Sequence, residues 1–206
     1  MIVLDTRLDD WLAPEGTTAL IFDCDGTLAD TMPAHYLAWR ETLAAHGLEF
    51  PEERFYGLAG VPTPRIVRIV AEEQGVVLDE ATVAAIAVAK EDRFMASDDG
   101  IVPIAPVAAI AEKYRGRLPI AVASGGEHRV VRHTLTAIGA LQWFDAIVAA
   151  EDTERHKPEP DVFLEAASRL GVAAAGCVVF EDSDLGIEAA HRAGMVAVDV
   201  RPTATA

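Results

Sequence analysis

Five short, mostly apolar runs, separated by longer stretches with helical periodicity, limit the folds open to this chain more than any other feature. The runs cover residues 19–22, 119–123, 146–150, 177–180 and 196–200. Short runs with little polar alternation are typical of parallel strands that are buried on both faces. Because strand and helix patterns alternate, the sequence predicts an α/β fold with a doubly wound, mainly parallel, Rossmann-like sheet.

Helical patterns fill the later intervals between these runs. Apolar residues recur at helical spacing in residues 127–138, 160–170 and 184–193, and a glycine follows each stretch. A glycine just beyond the last periodic residue is a common stop signal, because it adopts the left-handed conformation at low cost. Asp184 is the predicted N-cap of the last of these helices.

One interval is too long for a simple strand–helix–strand unit. Asp23, after the first run, and Ser124, after the second, are 101 residues apart, whereas such a unit needs roughly 30 residues. The surplus has helical patterns, which cover residues 33–46, 63–74 and 79–95. The second of these begins at Thr63-Pro64, a typical N-cap followed by a proline at the first helical position.

The surplus helices predict a second unit beside the sheet. We expect a Rossmann-like core, residues 1–30 and 102–206, and a helical cap, residues 31–101, inserted after the first strand. A cap at this place overhangs the carboxyl ends of the strands, where sheets of this kind bind ligands.

The charge balance excludes several classes of partner. With 17 Lys and Arg against 33 Asp and Glu, the net charge is −16, whereas nucleic acids and anionic membranes are bound through basic patches. No apolar run approaches the ~20 residues of a membrane span, and the first residues lack the features of a signal peptide. Cys24 and Cys177 are expected to be buried, unpaired core residues. We therefore expect a cytoplasmic monomer that binds neither nucleic acid nor membrane.

The first apolar run ends in a pair of acids. Asp23 and Asp25 are two residues apart, so their side chains share one face of an extended strand, and Gly26 allows a sharp turn after them. Like charges this close repel each other. A divalent cation such as Mg²⁺, which prefers one or two carboxylates with water and substrate phosphate, offsets that repulsion. A pair of solvated turn acids explains the same residues, so this motif alone leaves both interpretations open.

Three more loops favour the interpretation of the two aspartates as part of a metal site. Ser124, followed by two glycines, offers a hydroxyl and N–H groups to an anion beside a helix N-terminus. Lys157 lies in a proline-rich loop, and Glu181 and Asp182 follow the fourth run. Taken singly, each of the three has an ordinary structural explanation. Ser124 could be a helix cap, Lys157 a solvated loop lysine, and Glu181 and Asp182 an acidic helix cap. Because the carboxyl ends of parallel strands meet at one edge of a sheet, the four loops together predict a site for phosphate and Mg²⁺.

The order of these motifs resembles that of the haloacid dehalogenase superfamily, over residues 19–200. The matching motifs are Asp23-Cys24-Asp25-Gly26-Thr27, Ser124, Lys157 and Glu181-Asp182. Other segments resemble the β-phosphoglucomutase-like branch, especially its sugar phosphatases of the fructose-1-phosphate type. These segments are residues 34–40, 60–66, 156–161 and 180–187.

The resemblance implies a role for each core residue. Asp23 would be the nucleophile that forms an aspartyl phosphate, and Asp25 would protonate the leaving oxygen and then activate water. Mg²⁺ would be held by the Asp23 carboxylate, the Asp25 backbone carbonyl and Asp182, with Glu181 behind these direct ligands. The phosphoryl oxygens would be bound by Ser124, the Gly125 N–H and Lys157.

In the cap, the resemblance points to residues that choose the leaving group. His35 occupies the position of a proton-handling histidine of the mutases, and Arg65 and Arg40 are cationic candidates for substrate hydroxyls or a second phosphate. The mutases place a lysine late in the cap, where this chain has Arg-Phe-Met-Ala at 93–96, and its Lys90 lies a turn or more earlier. Without that clamp, water is favoured as the phosphoryl acceptor.

The resemblance therefore implies a Mg²⁺-dependent phosphatase that hydrolyses a small sugar phosphate, such as fructose 1-phosphate or a related phosphate monoester, through an aspartyl phosphate. A β-phosphoglucomutase-type phosphotransferase, which shares Asp23 and Asp25, is the alternative. A receiver-like phospho-signalling module is a remote alternative, because it has no use for the helical insert. Sequence spacing does not identify the sugar.

Overall fold

The five apolar runs form the strands of one parallel sheet. A computed structural model describes residues 8–96 and 100–201. Its strands, in chain order, are β1 (Ala19–Phe22), β2 (Ala29–Asp30), β3 (Val102–Pro103), β4 (Ile120–Ala123), β5 (Ala146–Val148), β6 (Cys177–Glu181) and β7 (Val196–Asp199). The sheet has the order β5-β4-β1-β6-β7, and Leu20 of the central strand lies opposite Ile120 of β4 and Val178 of β6. The predicted α/β fold is confirmed.

Helices cover both faces of the sheet, which explains why its strands have no polar face. The helices are α1 (Met32–Ala44), α2 (Glu52–Tyr56), α3 (Thr63–Glu73), α4 (Glu80–Met95), α5 (Ala105–Tyr114), α6 (His128–Ala137), α7 (Asp161–Leu170) and α8 (Asp184–Arg192). On one face Phe22 packs in a cluster with Val107 of α5 and Leu135 of α6. On the other, Ile21 packs in a cluster with Phe163 of α7 and with residues of α8. Each fully buried side chain of this size contributes about 1.5–3 kcal/mol.

Helices α1–α4 lie between β2 and β3 and have a hydrophobic cluster of their own. Trp39 of α1, Val67 of α3 and Ile86 of α4 belong to it. A smaller cluster, which includes Phe94 of α4 and Val130 of α6, connects these helices to the rest of the chain. The antiparallel pair of β2 and β3 lies where the chain enters and leaves the insert. The domain boundaries at residues 31 and 101 stay a prediction.

Two predicted N-caps are displaced by one residue in the structure. Pro62, rather than Thr63, is the N-cap of α3, and the Thr63 hydroxyl instead donates to Glu91 at 2.6 Å. Ser183, rather than Asp184, caps α8, because its side chain accepts a hydrogen bond from an N–H of the first turn.

Some features do not follow from the sequence patterns. Helix α5 is rich in alanine and has a proline in its first turn, so its apolar stripe is hard to distinguish. Strands β2 and β3 have two residues each, too few to show a period. Cys24 and Cys177 are buried and unpaired, as predicted. Within the described ranges, no helix is both long and apolar enough to cross a membrane.

Candidate active site

The carboxyl ends of β1, β4 and β6 open into a cavity of about 110 Å³ that α1, α3 and α4 also line. Its walls include every predicted residue of the sheet edge and one of the cap. These residues are Asp23, Asp25, His35, Ser124, Gly125, Lys157, Glu181 and Asp182. The fold therefore brings the four sequence motifs together at one site.

Lys157 connects two of the carboxylates. Its Nζ donates to Asp23 Oδ1 at 2.6 Å and to Glu181 Oε2 at 2.7 Å, and all three side chains are buried. Burial alone would lower the pKa of Lys157, but Asp23 and Glu181 raise it above its ordinary value, so the ammonium stays charged. Burial, and then Glu181, raise the pKa of Asp23 well above its ordinary value, although Lys157 opposes them. The three groups depend on one another, because a buried charge that loses its partner is costly.

Both oxygens of Glu181 have protein partners. Oε1 accepts from the N–H and the hydroxyl of Ser183, at 3.0 and 2.7 Å, while Oε2 accepts from Lys157. Helix α8 approaches so closely that a Cβ on Gly186 would lie 2.0 Å from Glu181 Cδ. Glu181 is therefore a fixed support for Lys157, which is consistent with its predicted place behind the direct metal ligands.

Asp182 lies against the loop that follows β1. Thr27 Oγ1 donates to its Oδ1 at 2.9 Å. Gly26 has a φ of +82°, and a Cβ there would lie 2.2 Å from Asp182 Oδ2. Burial, and then Glu181, raise the pKa of Asp182 to about 7. In the absence of a cation, this carboxyl therefore binds a proton in the acidic range where a solvated aspartate would be ionised.

The acidic cluster fits a hard divalent cation. Carboxylate oxygens of Asp23, Glu181 and Asp182 lie within 4.8 Å of one another. Glu181 is fully engaged, but in the described part of the chain no side chain donates a hydrogen bond to Asp23 Oδ2 or Asp182 Oδ2. Carboxylate oxygens are ligands that Mg²⁺ prefers. A bound divalent cation would lower the pKa of both Asp23 and Asp182, because its positive charge favours the ionised form of each carboxyl group. The donor set therefore fits Mg²⁺.

Asp25 directs its carboxylate toward α1, away from this cluster. Its Oδ1 accepts from Thr31 Oγ1 at 2.8 Å and lies 3.4 Å from His35 Nε2. Desolvation alone would raise the pKa of Asp25, but the hydrogen bonds from His35 and Thr31 bring it below its ordinary value. Since this carboxylate is outside the metal cluster, it remains available for proton transfer.

His35 lies between Asp25 and Lys90. Lys90 Nζ is 2.8 Å from Nδ1 of the ring, which stacks on Phe94 with the ring centroids 3.8 Å apart. Burial, and then the charge of Lys90, lower the pKa of His35, so the ring is neutral at pH 7. A neutral ring that accepts at Nδ1 carries its proton on Nε2, and His35 therefore donates to Asp25.

Ser124 and Gly125 supply hydrogen-bond donors to the same cavity. Ser124 is buried, and its Oγ accepts from the N–H of Gly126 at 3.0 Å, which leaves the hydroxyl hydrogen to be donated. Among the described residues, no hydrogen bond uses the Gly125 N–H. Together with Lys157, these groups offer an anion a charged donor and two neutral ones.

The two arginines proposed for the cap do not line the cavity. Thr63 and Ile66, which share one face of α3, line it, but Arg65 projects from another face of the helix and is exposed. Arg40 of α1 is exposed too, over the ring of Tyr36 at 5.8 Å. The structure therefore brings neither arginine to the site.

Lys90, which lies a turn or more before the stretch at 93–96, nevertheless reaches the site. Lys90 is buried and lines the cavity, because it shares the inward face of α4 with Phe94, one turn later. Arg93 is exposed and pairs with Glu41. A choice between water and a sugar as acceptor therefore cannot rest on a missing lysine.

Sequence reasoning also missed the side chains that hold the predicted ones. Thr31 and Ser183 bind Asp25 and Glu181, and Thr27 binds Asp182. Thr27 is the last residue of the first motif and Ser183 directly follows Asp182, so their places in the sequence were a usable signal. Thr31 stands just before a helix and looks like an ordinary cap.

The arrangement can perform nucleophilic chemistry on a bound anion. Asp23 offers a carboxylate oxygen, a common nucleophile in phosphoryl transfer. Lys157 and the neutral donors beside it can neutralise and orient the anion, which is most of what such a reaction requires. Asp25 supplies a second carboxyl group for moving a proton.

Comparison with known proteins identifies the family. The haloacid dehalogenase-like hydrolase family model matches residues 17–194. Over 190 residues the chain is 42% identical to the fructose-1-phosphate phosphatase YqaB of Escherichia coli (strain K12), with 91% of this chain and 98% of that protein covered.

Solved structures agree with this family. A β-phosphoglucomutase from Clostridium difficile superposes with a TM-score of 0.80 at 25% identity, over 89% of this chain and 84% of that one. CbbY from Rhodobacter sphaeroides, in complex with phosphate, gives a TM-score of 0.80 at 29% identity, over 88% and 84% of the two chains. The chain therefore belongs to the haloacid dehalogenase-like hydrolase family, in its β-phosphoglucomutase-like branch, and is a phosphatase of that family.

Proposed function

We propose that this phosphatase hydrolyses a small sugar phosphate, such as fructose 1-phosphate or a related phosphate monoester, through an aspartyl phosphate on Asp23. The observation that carries the proposal is the Asp23 carboxylate: Lys157 binds one oxygen at 2.6 Å, and the other is not engaged by any described residue. A charge-paired carboxylate with an unengaged oxygen in a cavity is suited to attack phosphorus. The 42% identity to a protein named as a fructose-1-phosphate phosphatase supports the substrate class.

Mg²⁺ would be held by Asp23, Asp182 and the Asp25 backbone carbonyl. When bound, it supplies positive charge that offsets the charge of the phosphoryl group and of the nucleophile. Among the described residues that line the cavity, two lysines (Lys90, Lys157) stand against five carboxyl groups: Asp23, Asp25, Glu91, Glu181 and Asp182. Such a cavity repels a phosphate dianion, and this imbalance supports a divalent cation as part of the working site.

Asp25 would carry the proton in both halves of the reaction. Its lowered pKa keeps it ionised in the free enzyme, which suits the base that later activates water. A bound phosphate dianion raises the pKa of a neighbouring carboxyl group, which suits the acid that first protonates the leaving oxygen. His35, which donates from Nε2, would hold the carboxylate in place between the two steps.

Two free, buried cysteines suit a reducing compartment, and this supports the proposal that the enzyme acts in the cytoplasm. The fructose-1-phosphate phosphatase to which this chain is similar is a bacterial protein. A fractionation experiment with an antibody to the native chain tests the location directly.

The substrate proposal is tested with the purified protein, Mg²⁺ and a panel of phosphate monoesters. We expect release of inorganic phosphate from at least one hexose or pentose phosphate, with kcat/KM of about 10⁴ M⁻¹s⁻¹ or more. Phosphoserine serves as the matched monoester without a sugar. Absence of release from every sugar phosphate would contradict the proposal. With β-glucose 1-phosphate and a trace of the bisphosphate, formation of glucose 6-phosphate without phosphate release would favour the mutase alternative.

Replacing Lys157 by Ala should lower turnover by about 10²–10³, the usual effect of removing one preorganised donor. The variant loses the charge that pairs with Asp23 and Glu181. Arg155→Ala, an exposed cation in the same loop, is the matched control and should retain activity. Phosphate release is measured beside the thermal midpoint, and a wild-type rate in a folded Lys157→Ala protein would make Lys157 an ordinary structural lysine.

A further inference from the structure

Lys90 has an acceptor for each of its hydrogen-bond donors. An ammonium group has three N–H donors. Nζ lies 2.8 Å from His35 Nδ1, 3.1 Å from Glu91 Oε1 and 3.0 Å from Glu91 Oε2. The rings of Trp39 and Phe94 lie beside it, with centroids 5.3 and 5.7 Å from Nζ. No donor of Lys90 is left for a substrate.

Glu91 is fixed in this arrangement from a second helix. Thr63 Oγ1, at the start of α3, donates to Glu91 Oε1 at 2.6 Å. The side chain is 5% exposed and lines the cavity. Turning away from Lys90 would cost Glu91 its hydrogen bonds and leave a buried charge without a partner, so the pair is stable as found.

The Lys90–Glu91 pair has no net charge. Lys157, the other lysine among the described residues that line the cavity, is engaged by Asp23 and Glu181 at the sheet edge. The side of the cavity formed by α1, α3 and α4 therefore has no uncompensated cation to receive a second anionic group. Burying a phosphate dianion without a cationic partner is costly, whereas a neutral sugar hydroxyl can bond to the Glu91 carboxylate or to the Thr63 hydroxyl.

We propose that Glu91 restricts this enzyme to sugar monophosphates: by occupying Lys90, it prevents that lysine from binding a second phosphate at the end of the substrate opposite the scissile one. The assignment rests on the proposed function, which places the scissile phosphate at Asp23. Glu91 is here a specificity-determining residue, and it takes no part in the bond-breaking steps.

The test is Glu91→Gln, which keeps the shape of the side chain and removes its charge. Fructose 1-phosphate and fructose 1,6-bisphosphate are the probes, because they differ by one phosphate. We expect the ratio of kcat/KM for the bisphosphate to that for the monophosphate to rise about tenfold, the effect of one uncompensated charge in a partly screened site. Glu41→Gln removes the same charge from an exposed ion pair with Arg93, and its ratio should equal that of the wild type.

Two further variants test whether the gain requires Lys90 and whether it follows from loss of the Glu91 carboxylate. Glu91→Gln combined with Lys90→Met should lose the gain, because the gain requires the free ammonium. Glu91→Met, which also removes the carboxylate from Lys90, should raise the ratio in the same direction and serves if Glu91→Gln does not fold.

An unchanged or lower ratio in a folded Glu91→Gln or Glu91→Met protein that still hydrolyses the monophosphate overturns the proposal. A gain that persists without Lys90 overturns it as well. Failure of the wild-type enzyme to hydrolyse any sugar monophosphate would instead contradict the proposed function, so the two failures are distinguishable.

Discussion

Replacing Asp23 by Asn should abolish hydrolysis in a protein that remains folded. The amide has the size of the carboxylate but cannot attack phosphorus, and loss of a nucleophile lowers turnover by at least about 10⁴-fold. Lys157 keeps Glu181 as a partner at 2.7 Å, so no buried cation is stranded. The measurements are phosphate release and the intact mass of protein quenched during turnover. Phosphate still attached to the Asp23→Asn protein would exclude Asp23 as the nucleophile.

Asp25→Asn should fail in a different way. This variant keeps the nucleophile but loses the group that moves the proton, which typically costs about 10²–10⁴ in rate. Any trapped phosphate should be found on Asp23 by peptide mapping. Asp30→Asn, an exposed acid in β2, is the nearby control and should behave as the wild type.

Removal of Mg²⁺ should eliminate activity, and its return should restore it. Asp23, Glu181 and Asp182 lie close enough to repel one another, and the phosphate adds to that repulsion. The assay is phosphate release after exhaustive chelation, followed by titration with Mg²⁺. Full activity after chelation would contradict the metal site.

Thermal unfolding gives an independent measure of the same site. The pKa of Asp182 is raised to about 7, so between about pH 4 and 7 the folded state binds a proton that the unfolded state has lost. By linkage, this group makes the metal-free protein less stable as the pH rises through that range. Mg²⁺ must displace the proton of Asp182 at pH 5 but not at pH 8. The rise in thermal midpoint that Mg²⁺ produces should therefore be larger at pH 8.

Two variants test whether Asp182 holds the ion. Asp182→Asn should lose most of the shift in thermal midpoint that Mg²⁺ produces. Asp184→Asn, exposed at the start of α8 and paired with Arg201, should keep it. An equal shift in both variants would place the ion elsewhere.

The sheet and its catalytic edge were predictable because their signals are local. Each strand is one apolar run, and each loop begins where a run ends, so the topology of a parallel sheet gathers Asp23, Ser124, Lys157 and Asp182 without knowledge of any contact. The register and the close approach of Gly26 to Asp182 were not predictable, since they depend on how two distant loops pack.

The cap side of the site was predicted poorly, for a physical reason. Which residues of a helix face a cavity depends on the rotation of that helix about its axis, and a few residues of sequence spacing do not fix it. Arg65 was favoured for its charge but projects from another face of α3, whereas Lys90 was set aside and lies inside. Glu91 gave no signal, because an acid next to a lysine in a helix usually means two solvated side chains.

The central place of β1 has a consequence for how the protein is made. Asp23 emerges from the ribosome early, but its partner Lys157 follows 134 residues later, and β6 later still. Helices α1–α4 pack through contacts between near neighbours in the chain and can fold while translation continues, whereas the first strand must wait for both of its neighbours. A nascent chain that stops before β6 lacks Glu181 and Asp182 altogether. A chain interrupted before β6 therefore gives a polypeptide without phosphatase activity, and catalytic competence arises only after β6 has left the ribosome and paired with β1.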